Sequence, residues 1–124
     1  MKEIKTNNAP AAIGPYSQAV VTNNLVFTSG QIPVNPVTGE IPEGIEAQAN
    51  QVFMNIKNLL EASETSIDNV VKTTVFIQNM SDFAVVNKIY ETYFTAPYPA
   101  RSCVEVAKLP KDVLIEVEVI AKLK

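Results

Sequence analysis

Ile45, Ala49, Val52, Phe53, Ile56, Leu59 and Leu60 recur at spacings of three and four, which predicts a helix running to about Ser63 with one apolar stripe. A second stripe of Phe83, Val86, Ile89, Tyr90, Tyr93 and Phe94 predicts another helix, with Ser81 placed to cap its start and Pro97 and Pro99 to stop it. Between them, Val70 to Ile77 has the β-branched and aromatic mix of a buried or half-buried strand. Earlier in the chain, Val20-Val21 and Leu25 to Ser29 flank Asn23-Asn24, a tight turn between antiparallel strands, and Gly30 ends the second of them. The C-terminal part reads as two strands, Ala100 to Lys108 and Val113 to Leu123, joined as a hairpin through Leu109-Pro110-Lys111-Asp112. Pro10, Gly14 and Pro15 favour an extended arm over residues 1–15, and Pro33, Pro36, Gly39 and Pro42 mark a loop over 32–44.

This order of elements suggests an α+β fold with a mixed or antiparallel sheet and both helices on one face. No internal repeat or low-complexity linker divides the chain, so residues 1–124 read as one domain. The third strand offers Val71, Val75 and Ile77 on one side and Val70 and Phe76 on the other, and two helices cover only one side. Apolar surface left uncovered forfeits roughly 25 cal/mol per Å², so the open face calls for a homo-oligomer unless it is only patchily apolar.

Composition removes several classes of function. Charged residues make up 19% of the chain and the formal net charge is −3, with the basic residues scattered singly, so nothing favours a nucleic-acid backbone or an anionic lipid surface. No run of apolar residues suits a signal peptide or a membrane span, and the single cysteine, Cys103, demands no oxidising compartment; the expected location is the cytoplasm. With no histidine, neither a His/Cys zinc site nor a histidine-activated nucleophile can be built, and the four glycines form no phosphate-cradling loop. The expected chemistry uses no metal and no cofactor.

Period-two geometry places Arg101, Cys103 and Glu105 on one face of their strand, and Glu116 and Glu118 on one face of the next. Arg101 could hold a carboxylate in its planar fork of donors or serve a structural ion pair. Glu116 lies among apolar neighbours that would raise its pKa, and such a carboxyl can hold or activate a water. Glu105 and Glu118 read as solvated surface. Cys103 lacks an activating base and reads as packing rather than as a nucleophile. Tyr16, after Gly14-Pro15, is either a hydrophobic clasp or a phenol projected into a site. Ser29-Gly30 ends a strand, where backbone N–H groups are free to receive an anion.

Four runs together resemble the RidA/YjgF family, the reactive-intermediate deaminases. They are residues 9–18 (Ala-Pro-Ala-Ala-Ile-Gly-Pro-Tyr-Ser-Gln), 28–36 (Thr-Ser-Gly-Gln-Ile-Pro-Val-Asn-Pro), 70–77 (Val-Val-Lys-Thr-Thr-Val-Phe-Ile) and 99–112, which opens Pro-Ala-Arg-Ser-Cys-Val-Glu-Val. The resemblance spans essentially the whole chain, and the last run is the most specific. It implies a chorismate-mutase-like α+β subunit, a homotrimer around a central barrel and three ligand clefts at subunit interfaces. It also implies hydrolysis of the enamines and imines of small 2-amino acids, such as 2-aminoacrylate and 2-iminopropanoate, to 2-keto acids and ammonia, after pyridoxal-phosphate dehydratases have released them. By the same resemblance Arg101 is the carboxylate-binding arginine and Glu116 the water-directing glutamate. Tyr16, Ser29, Gly30 and Cys103 line the cleft, the last two through their backbone. Some relatives lack the arginine and the activity with it, so Arg101 argues for the active branch. The loop Thr95-Ala96-Pro97-Tyr98 is the least family-typical stretch and bears on access to the cleft. The resemblance also admits a non-enzymatic trimer that binds keto acids and regulates a partner.

Overall fold

A computed structural model describes residues 1–124. In chain order its elements are β1 (Lys2–Ile4), β2 (Ala19–Thr22), β3 (Leu25–Thr28), α1 (Ile45–Ala62), β4 (Val70–Ile77), α2 (Phe83–Tyr93), β5 (Ala100–Glu105) and β6 (Ile115–Lys122). They form a six-stranded sheet in the order β1-β2-β3-β6-β4-β5, with both helices on one face. Asn23 and Asn24 hold φ of 49° and 64°, the left-handed pair that a two-residue turn needs to follow the twist of its strands, and they join β2 to β3 as expected.

The C-terminal hairpin does not form. β5 pairs with β4 in parallel, after α2 has carried the chain back across the sheet, while β6 inserts between β3 and β4 and runs antiparallel to both. The connection therefore steps over β4 instead of turning tightly, and β5 is left as the sheet edge. Central placement suits β6: Ile115, Val117, Val119 and Ala121 are all buried against the helices, the apolar side of a central strand. β5 has the profile of an edge, with five of its six residues exposed.

The core lies between this sheet face and the helical stripes. Phe53, Ile56, Leu59 and Leu60 of α1 are fully buried with Val75, Ile77, Ile115 and Val117 of the sheet, and each such side chain contributes about 1.5–3 kcal/mol relative to exposure. Val70 is buried in this core and does not reach the open face, because the pairing of β4 with β6 slips one residue between Val70 and Lys72 and turns Val71 outward. Phe76 does lie on the open side, with Lys72, Thr74, Glu116 and Glu118.

Two further local readings change. The extended arm begins with a true strand, β1, whose Glu3 pairs with Val20. Ser81 caps nothing: it sits inside a single 3-10 turn, Met80–Asp82, that leads into α2, and the Met80 N–H donates to Glu105 Oε1 at 2.7 Å. Glu105 thus anchors the entry to α2 from the neighbouring strand, a structural task rather than simple solvation.

Candidate functional site

Arg101 stands opposite Thr73 in the parallel pairing of β4 and β5, and Thr73 is buried under α2 with its hydroxyl 2.8 Å from that of Tyr90. Arg101 therefore points to the helix side. Its guanidinium carbon lies 4.9 Å from the ring centre of Tyr90 and 5.4 Å from that of Phe83, and Nη1 donates to Asn87 Oδ1 at 2.7 Å. Cation–π contact of this kind is worth about 0.5–2 kcal/mol and fixes the plane of the fork. No carboxylate pairs with it; the two ion pairs of the chain are Lys5–Glu3 and Lys108–Asp112. The structural ion-pair alternative is thereby removed. An open pocket of about 330 Å³, lined by Asn87, Tyr90, Glu91, Tyr98, Pro99 and Arg101, lies in front of the guanidinium.

Phe83, Asn87 and Tyr90 are four and three residues apart on α2, so they share one face. Sequence reasoning assigned both aromatics to the core and passed over Asn87. The available signal was a polar residue standing inside an apolar stripe.

Cys103 follows on the same face, half-buried against the core. Burial pushes its thiol up, with the Arg101 charge opposing in part, which works against a thiolate nucleophile. Its backbone faces elsewhere. The Val106 N–H donates inward to Ile77 O at 2.9 Å, and successive residues of an extended edge strand alternate in direction, so the N–H groups of Arg101, Cys103 and Glu105 face out of the free edge.

Glu116 faces the other way. It is paired with Phe76 between the buried neighbours Ile115 and Val117, which puts its half-buried carboxyl on the open face beside Glu118. Burial, and then the charge of Glu118, hold its pKa above the ordinary carboxylate range. Gly30 makes room for it: a Cβ on Gly30 would lie 2.8 Å from Cδ of Glu116 and closer still to Oε2. A glycine is needed here for close approach, not for an unusual φ.

Ser29 differs from expectation. Its N–H donates to Gln18 O at 2.9 Å and its hydroxyl to Ser17 O at 2.6 Å, so only the Gly30 N–H is left unpaired at this strand end. Tyr16 is exposed, its hydroxyl accepting the Ile13 N–H at 3.3 Å, so the phenol pins its own arm. Behind this cluster two buried amides of α1 fix the backbone. Asn55 Nδ2 donates to the carbonyls of Ile32 and Val34 at 3.1 and 3.0 Å, while Gln48 donates to Pro42 O and accepts the Leu114 N–H. Neither amide was singled out from the sequence, where a buried amide on a helical stripe is indistinguishable from a solvated one.

The expected residues thus form two groups. Tyr16, Ser29, Gly30 and Glu116 gather around the ends of β3 and β6; Arg101 and Cys103 sit at the β5 edge under α2. Arg101 and Glu116 lie on opposite faces of the sheet with β4 between their strands, so no small ligand touches both within one chain.

Residues 6–123 match the family described as Endoribonuclease L-PSP. The chain is 58% identical over 123 residues to the 2-iminobutanoate/2-iminopropanoate deaminase of Escherichia coli K12, covering 97% of this chain and 96% of that protein. Among solved structures it resembles RidA of the Antarctic bacterium Psychrobacter sp. PAMC 21119, with a TM-score of 0.96 at 47% identity over 99% of this chain and all of that one. It also resembles E. coli TdcF with bound serine, with a TM-score of 0.95 at 47% identity over the full length of both chains.

Proposed function

The chain belongs to the Endoribonuclease L-PSP family, the RidA/YjgF family of the sequence resemblance, and we infer from that membership and from its site that it is an enamine/imine deaminase. It hydrolyses reactive 2-imino acids, among them 2-iminopropanoate and 2-iminobutanoate with their enamine tautomers, to 2-keto acids and ammonia. The observation that carries this reading is Arg101, a rigidly stacked fork of donors with no carboxylate of its own to bind. The match along nearly its whole length to a deaminase of 2-iminobutanoate and 2-iminopropanoate supports the substrate class.

The separation of Arg101 from Glu116 supports an assembly in which one copy's β5 edge meets the Tyr16, Gly30 and Glu116 cluster of the next. A chorismate-mutase-like homotrimer with its sheets around a central barrel satisfies this, each of three interfaces completing one cleft. It also covers the open sheet face that the helices leave. The 6–123 match supports treating residues 1–124 as a single RidA-like domain.

In such a cleft the substrate carboxylate takes the Arg101 fork and the outward N–H of Cys103. The protonated imine carbon then faces a water held by Glu116. Water oxygen bonds to that carbon while Glu116 takes a water proton, and the C=N electron pair withdraws onto nitrogen. The carbinolamine collapses as Glu116 returns the proton to nitrogen: the C–N bond breaks, ammonia leaves, and the hydroxyl gives its proton to the freed Glu116 carboxylate as it becomes the keto group, that proton passing on to the departing ammonia as ammonium. The raised pKa of Glu116 suits both transfers, and such assistance is worth about 10²–10⁴-fold. The chemistry requires neither metal nor cofactor. Pyridoxal-phosphate dehydratases acting on serine or threonine release substrates of this class.

The test couples a threonine dehydratase to this protein and traps the surviving imine with semicarbazide. The wild type lowers trapping and Arg101→Ala does not. If neither lowers it while 2-keto acids still bind saturably, the regulatory binding trimer replaces the enzyme. RNA cleavage, the activity in the family's description, gains no support from an acidic chain without a basic stripe.

A further inference from the structure

Arg101 is exposed on an edge strand, where a long side chain has no reason of its own to hold one direction. The rings of Phe83 and Tyr90 and the bond to Asn87 set its plane, so the anchor is only as well fixed as those neighbours. Asn87 holds one end, Nη1, and leaves the guanidinium free to pivot there unless the rings stay in place. Phe83 is half-buried at the first position of α2, whereas Tyr90, the nearer ring, is 5% exposed.

Packing holds the Tyr90 ring on two sides. Phe94 stacks on it with ring centres 4.4 Å apart, and Phe53 meets it edge to face at 5.7 Å. Contacts of this kind resist tilting of the ring but only weakly resist its sliding in its own plane. What fixes its depth is the hydroxyl at its tip, 2.8 Å from that of Thr73. Thr73 is fully buried and neither hydroxyl has another partner in the chain, so each is orphaned without the other. Thr73 also departs from the pattern of its strand, since it shares the buried face of β4 with Val75 and Ile77. Its position is informative: Thr73 stands directly opposite Arg101 in the parallel pairing, so adjacent strands present the fork and a brace to the same ring.

Resting on the deaminase reading, we propose that Thr73 is a positioning residue: through the Tyr90 hydroxyl it fixes the ring on which the Arg101 guanidinium lies, and so the direction in which the fork meets the substrate carboxylate. Thr73 is not among the residues that border the pocket in front of Arg101 and touches no substrate itself. Loss of its hydroxyl leaves the ring and the charge present but loosens the fork. Carboxylate binding then weakens in the ground state and the transition state alike, which raises KM more than it lowers kcat.

The test measures 2-iminopropanoate hydrolysis in Thr73→Val, which keeps the shape and removes the hydroxyl, and in Thr73→Ser, which keeps the hydroxyl. Thr73→Val should raise KM about fivefold with a smaller change in kcat, and Thr73→Ser should restore KM to within about twofold of wild type. Tyr90→Phe keeps the ring and removes the other hydroxyl, so it should reproduce the KM of Thr73→Val, and the double variant should be no worse than either. It also carries the test if valine beside an orphaned phenol prevents folding. In the Arg101→Lys background, which has no planar cation to hold, Thr73→Val should change KM less than about twofold, whereas a merely structural role costs the same factor in both backgrounds. Calorimetry with 2-oxopropanoate, the product, reads the same anchor without turnover, and Thr73→Val should weaken its binding about fivefold. Unchanged KM or affinity in Thr73→Val and Tyr90→Phe, a Thr73→Ser variant as impaired as Thr73→Val, or an equal loss in the Arg101→Lys background overturns the brace, while wild-type turnover keeps the deaminase reading. A wild type that turns over no 2-iminopropanoate overturns that reading, and the calorimetric comparison then decides the brace by itself.

Discussion

Arg101 and Glu116 occupy opposite faces of one sheet, so two chains that are each inactive should restore activity when mixed. Arg101→Ala removes the carboxylate anchor and Glu116→Gln removes the proton acceptor, and each should lower kcat/KM by about 10²-fold or more. Every cleft of the proposed trimer draws Arg101 from one copy and Glu116 from its neighbour. Co-expression with two different tags and tandem purification selects rings containing both variants. In a three-membered ring of mixed composition, whichever variant is in the majority, one cleft has an intact arginine facing an intact glutamate. Activity should return to about one third of the wild-type rate per ring, since closed rings repeat one heterologous interface. The semicarbazide assay reads this directly. Mixed rings no more active than either parent would refute the shared cleft and require both residues to act in one chain, against the sheet geometry.

Arg101→Lys keeps the charge but cannot present two parallel N–H groups while also donating to Asn87, so loss of one charge-assisted bond of about 1.5–3 kcal/mol should cut kcat/KM roughly 10- to 150-fold. Rates within threefold of wild type would remove the bidentate assignment. Gly30→Ala drives a methyl into the Glu116 carboxyl and should lower kcat more than it raises KM, a split that steady-state kinetics on 2-iminopropanoate checks. Because the Glu118 charge helps to raise the pKa of Glu116, Glu118→Gln should move the acid limb of the kcat/KM profile to lower pH, and an unmoved limb would show that another group titrates there. Burial that raises the pKa of Glu116 penalises its ionised form in the folded state. The stabilising balance is thus complete below the unfolded carboxylate pKa and is lost as pH rises through the folded one. Glu116→Gln should therefore match wild type in urea unfolding at low pH and exceed it at neutral pH.

Both helices were legible because their stripes have a period no strand shares, and Asn23-Asn24 was legible because few residue pairs tolerate two left-handed positions. What failed was everything decided by partners distant in sequence. The strands at 100–105 and 115–122 each have the right period, but nothing local says that β6 prefers the vacancy between β3 and β4 to the side of its predecessor. That preference is energetic: β6 can bury four residues against the helices only from the centre of the sheet, and the exposed β5 gives up little by standing at the edge. The one-residue slip after Val70 was equally invisible, since a bulge is a property of a pair and alternation in a single strand carries no trace of it.

The mistaken hairpin bears directly on the site. Had β5 and β6 been neighbours, Arg101 and Glu116 could have met on one face, and a monomer could have carried the chemistry. With β4 between them and their side chains on opposite sides, the two groups cannot meet in a single chain, which in the proposed trimer holds two incomplete halves. Each half is nonetheless organised in isolation: the guanidinium by Asn87 and two rings, the carboxyl by a glycine that leaves it room. Groups fixed before a ligand arrives need little further ordering when copies meet, so the proposed ring, which would withhold activity from the lone chain, would carry a small entropic cost on closing.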